Sequence, residues 1–63
     1  MDRQSVEAAI VSYGRRIAEC KRNKKVDLQF PDRLYLEGSP EYEHAIRSWE
    51  FAKAYYEQLL KEQ

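Results

Sequence analysis

The chain is expected to be mainly α, as two long antiparallel helices joined by a short β-hairpin-like segment, which leaves room for a small α+β variant. Three observations support this. Apolar residues recur at helical spacing from Val6 to Cys20, a helix-start signal stands at Gly38-Ser39-Pro40-Glu41, and residues alternate in character between them. At 63 residues the chain forms one small domain, 1–63, of a size at which one core supplies only a few kcal/mol of net stability.

The first helix is placed at residues 2–22. Val6, Ile10, Tyr13, Ile17 and Cys20 follow one another at spacings of 4, 3, 4 and 3, an unbroken stripe on one face. Asp2 or Ser5 can cap its start, and Lys21-Arg22-Asn23-Lys24-Lys25 puts cations at its negative end. Asn23 is the expected stop, because asparagine tolerates the left-handed conformation that ends helices. Gly14 sits mid-helix at a cost of about 1 kcal/mol relative to alanine, which suggests a close helix crossing on a flank with Val11 and Ala18.

Residues 26–36 follow as two short strands or an irregular linker. Val26, Leu28 and Phe30 alternate with polar residues, as do Leu34 and Leu36. A two-residue loop at Pro31-Asp32 would set Leu34 opposite Gln29 and split the apolar faces. A three-residue loop, Pro31-Asp32-Arg33, sets Phe30 opposite Leu34 and Leu28 opposite Leu36, and is the expected register.

The second helix is placed at residues 40–61, with Ser39 as N-cap and Pro40 at the first helical position. One face carries a full core set: Tyr42, Ala45, Ile46, Trp49, Ala52, Tyr56 and Leu60. A separate face carries Phe51 and Tyr55, with Leu59 on the border. So short a chain has little with which to bury both faces. Leftover aromatics then point to a partner or a second copy of the chain. The competing expectation is that Phe51 and Tyr55 fold under the hairpin and complete the core around Phe30 and Leu36.

Composition narrows the function classes. The chain is 43% hydrophobic with eight aromatics (five Tyr, two Phe, one Trp), which is not a disordered composition. A single cysteine cannot form an internal disulfide, and no metal-ligand cluster is visible, so oligomerisation or close helix packing must stabilise the domain. No apolar run approaches the roughly 20 residues of a membrane span, and the N-terminus lacks a signal-peptide pattern. A cytoplasmic setting is expected, with no membrane partner. Net charge is zero but divided. Residues 1–25 carry seven Lys and Arg against three carboxylates, and residues 26–63 carry four against eight.

No constellation specifies a reaction, so a non-enzymatic protein is expected, with no cofactor, no metal and no small-molecule substrate. Cys20 and His44 are the only thiol and imidazole, but Cys20 falls on the core stripe, where cysteine packs as a small hydrophobe. Pro31-Asp32 is followed by no acidic-x-Lys pair of the kind found in metal-dependent nucleases, and Pro-Asp is an ordinary turn dipeptide. Glu41, Glu43 and Glu50 fall around an exposed helix face with no sign of a pocket, and acids near the helix start compensate its dipole.

The function expected is a protein–protein interaction module (adaptor, regulator or inhibitor), acting as a homodimer or as the small subunit of a complex. Its contact residues would be Phe51, Tyr55 and Leu59, with His44 and Glu62 at the rim. Nucleic-acid binding is the less favoured alternative. It would use Arg15, Arg22 and Lys25 on one side of the first helix, with Lys21 and Lys24 near its end and Tyr35 as a stacking ring. Against it stand a pI of 6.6 and the absence of any recognition motif.

Overall fold

A computed structural model describes residues 2–29 and 32–62 of the chain. The order is α1 (Arg3–Asn23), β1 (Lys25–Gln29), β2 (Asp32–Leu36) and α2 (Pro40–Lys61). The molecule is elongated, 37 × 18 × 18 Å, because two helices of similar length lie side by side. Contacts along them run in opposite order: Lys21 meets Glu50, Arg16 meets Trp49, Gly14 meets Lys53 and Tyr13 meets Tyr56. The helices are therefore antiparallel, as expected from the apolar stripes.

Each helix starts at a side-chain cap. Asp2 accepts the Ser5 backbone N–H at 2.7 Å, and Ser39 Oγ accepts the Tyr42 N–H at 3.1 Å, with Pro40 in the first turn. The end of α1 differs from expectation by one residue. Asn23 is still helical, and Lys24 takes the left-handed conformation (φ 58°) while its N–H bonds the Cys20 carbonyl. The position is dictated by the strand that follows, since β1 begins at the next residue and Val26 must turn inward.

The hairpin register also departs from expectation. Val26 pairs with Tyr35, Asp27 with Leu34, Leu28 with Arg33, and Gln29 with Asp32. Asp32 and Arg33 are thus strand residues, which rules out the three-residue loop. Leu34 opposite Asp27 rules out the two-residue alternative considered above. Phe30 and Pro31, with the expected Phe30–Leu34 pairing, lie outside the described residues. The register is continued beyond the strands by the Glu37 N–H on the Lys24 carbonyl, 2.9 Å, so it is anchored where α1 ends.

This slip is odd in number and therefore inverts β2. Val26, Leu28 and Tyr35 turn to the helices, while Leu34 and Leu36 remain 56% and 69% exposed. Both settings place an apolar surface inside, and the one realised half-buries an aromatic ring in place of two leucines.

The core sits at the hairpin end. Ile17, Val26, Tyr42, Ala45 and Ile46 form it, with Cys20, Leu28, Tyr35 and Trp49 packed around them. Val6 is fully buried at the other end of the helix pair, outside this cluster. Of the second helix's expected core set, Tyr42, Ala45 and Ile46 are buried, and Trp49, Ala52, Tyr56 and Leu60 are half-buried.

Candidate functional site

The candidate site is the outer face of α2. Phe51 is 79% exposed and Tyr55 is 57% exposed, one helical turn apart. His44 and Glu62 are exposed as well, and Leu59 is half-buried at the border. The expectation that Phe51 and Tyr55 complete the core beneath the hairpin is not met. Both rings face away from the chain's own core, and Leu36, which was to join them, is itself exposed.

An aromatic series links this face to the interior. Tyr55 meets Tyr56 edge to face, with centroids 5.4 Å apart and planes at 74°, and Tyr56 stacks on Tyr13 at 6.1 Å. The edge contact gives Tyr55 one aromatic neighbour on its own helix, and the rest of its ring stays open to solvent. At the C-terminal end Gln58 Nε2 donates to Glu62 Oε1 at 3.4 Å, which holds the carboxylate over the helix surface.

The basic cluster runs from α1 through its Lys24 cap to Lys25, the first residue of β1. Lys21 is drawn into an ion pair with Glu50 at 3.1 Å, whereas Arg15, Arg22, Lys24 and Lys25 are exposed. Among the described residues this is the sole ion pair between the two helices, so the opposed charges of the chain's halves act mainly as a diffuse field. Tyr35 is not a free stacking ring. It is half-buried against the core, and the Arg33 guanidinium lies 6.0 Å from its centroid.

Sequence reasoning passed over Arg16. Its guanidinium sits 5.3 Å from the Trp49 ring and 5.9 Å from Tyr13, so it joins the two helices through cation–π contacts. The signal was available in part, since Tyr13 and Arg16 are three apart on one helix. The Trp49 contact needed the helix pairing.

Two open clefts flank Trp49. One, of about 870 Å³, is bordered by Arg16, Cys20, Lys25, Asp27, Leu28 and Trp49. The other, of about 440 Å³, is more apolar and is bordered by Leu28, Pro40, His44, Ala45, Ser48 and Trp49. Cys20 and His44 therefore line different clefts, and no hydrogen bond joins them. Loss of hydration raises the Cys20 thiol above its ordinary range, Glu19 adds to the shift and Arg16 opposes it. That direction disfavours the thiolate a nucleophile needs. Gly14 faces the Lys53 side chain and not a second backbone, while Val11 and Ala18 are exposed.

Among the described residues no group of three or more His, Cys, Asp and Glu is placed to hold a metal ion, and no helix is long and apolar enough to cross a membrane. No protein-family model, no curated protein and no solved structure matches this chain. The functional reading therefore rests on the chain's own residues.

Proposed function

We propose that this protein is a non-enzymatic protein–protein interaction module, working as a homodimer or as the small subunit of a complex. The observation that carries the reading is the exposure of Phe51 and Tyr55 on the outer face of α2. Covering a side chain of that size contributes roughly 1.5–3 kcal/mol, and aromatic residues are enriched at the centres of interfaces. Leu59 extends the apolar patch, and His44 and Glu62 supply a polar rim at its two ends. The long helix is a rigid platform, so an adaptor, regulatory or inhibitory role fits it better than chemistry does.

One observation favours the second reading, nucleic-acid binding. Among the described residues, Lys21 is the one member of the basic cluster in an ion pair, and Arg15, Arg22, Lys24 and Lys25 are turned to solvent. Light scattering coupled to size exclusion, at low and high salt with absorbance at 260 and 280 nm, separates the two. A protein-only assembly that resists salt and is lost in Phe51→Ala/Tyr55→Ala supports the aromatic face. A monomer that carries nucleic acid at low salt and sheds it at high salt, through Arg15 and Arg22, replaces that reading with the second.

A further inference from the structure

We infer that the occupant of the aromatic face is a second copy of this chain, lying antiparallel along α2 about a two-fold axis between Phe51 and Tyr55. The inference rests on the interaction reading above and commits it to one partner and one geometry.

His44, Ser48, Phe51, Tyr55, Gln58 and Glu62 follow one another at intervals of 4, 3, 4, 3 and 4, and all six are exposed. That is the interval of a coiled-coil seam, the narrow stripe one helix offers another, and here it runs about 27 Å along α2. The stripe is distinct from the one that packs on α1, so the seam is free along its whole length.

Its order of residues is self-complementary in one direction only. With a two-fold axis between Phe51 and Tyr55, Phe51 of one copy shares a layer with Tyr55 of the other. The next layer pairs Ser48 with Gln58, and the outermost pairs His44 with Glu62. Four aromatic rings then fill the centre, each flanking layer joins two hydrogen-bonding side chains, and the ends place an imidazole N–H beside a carboxylate. A parallel pair would instead set Glu62 against Glu62 and oppose helix dipoles of the same sense.

A second observation agrees. Leu59 lies on the shoulder of the seam that also carries Ala45 and Ala52. A two-fold axis places like shoulders together, so Leu59 of the second copy comes down beside Ala45. There the structure has its apolar groove of about 440 Å³, bordered by Leu28, His44, Ala45, Ser48 and Trp49. The groove is open in the single chain and stands where the dimer needs space for a leucine. Because the apolar part of the seam is short, the dimer is of modest affinity and needs a high chain concentration to form.

The test uses Cys20→Ala chains carrying Ser48→Cys or Gln58→Cys, each shown by circular dichroism to retain its helices. They are treated at about 0.2 mM with a short bismaleimide. The expected result is a covalent dimer when the two chains are mixed, little when either is alone, and loss of the mixed product on adding Phe51→Glu to both. In the antiparallel pair, like cysteines stand about 15 Å apart along the axis, ten residues of rise. Efficient linking of either cysteine to itself overturns the antiparallel geometry and leaves the aromatic-face reading standing if Phe51→Glu still abolishes it. A monomeric mass for the wild type at this concentration, with no product, overturns self-association. Linking that survives Phe51→Glu removes the aromatic face from the interface and fails the underlying reading too.

Discussion

Glycine occurs twice in this chain, and its two positions answer to opposite forces. At Gly14 an added Cβ would meet only the Lys53 Cε at 3.4 Å, the flexible end of a side chain. Gly14→Ala should therefore raise stability by up to about 1 kcal/mol in denaturant unfolding, the helix-propensity difference. Gly38 has φ +94° with open space around it, so Gly38→Ala loses roughly 1 kcal/mol to backbone strain alone. Lys24 belongs with Gly38, since its left-handed backbone favours glycine, and Lys24→Gly should raise the melting temperature. Only the Gly38 turn was legible beforehand, because Ser39 and Pro40 follow it. Asn23 was the better left-handed residue on local chemistry, and the start of β1 overrode it. The Cys20 thiol, raised by lost hydration, should react with iodoacetamide more slowly at pH 8 than an unstructured peptide of the same local sequence.

The hairpin and the first turn of α1 show how elements draw on what surrounds them. Leu34 and Leu36 lie on the outer face of the two-stranded sheet, and Val26 is 1% exposed on the inner one. Leu34→Thr with Leu36→Thr should change unfolding free energy by under about 1 kcal/mol, whereas Val26→Ala should cost about 2 kcal/mol. The reverse ranking would indicate the other face inward. The alternation of residues 26–36 made a hairpin readable, but apolar groups on both faces of β2 left its register open. At the start of α1 the Ser5 N–H, donated to Asp2, holds that carboxyl below its usual 3.8. A depressed pKa stabilises the fold above 3.8, and this contribution is lost as pH falls through the lower, folded value. The Ser5 amide resonance should therefore titrate with a midpoint below 3.8, and Asp2→Asn should remove that titration.

Taken as one body, the molecule is held by a core at the hairpin end and by aromatic and cation–π contacts along the helix pair. Ile17→Ala should cost about 2–5 kcal/mol, enough to unfold so small a domain. Lys21→Ala, which removes the ion pair to Glu50 between two half-exposed side chains, should cost under about 1 kcal/mol. The two helices, their antiparallel packing and their core stripes were determined by the sequence, because helical periodicity and end caps are local and each helix has one face apolar enough to be buried. The end of α1, the strand register and the Arg16–Trp49 contact were settled by the tertiary structure, because each is a choice between locally equivalent arrangements made by distant residues. The same holds for Phe51 and Tyr55. Their spacing set them apart from the core stripe, but only the packed chain shows that the hairpin packs Tyr35 against the core and leaves both rings uncovered.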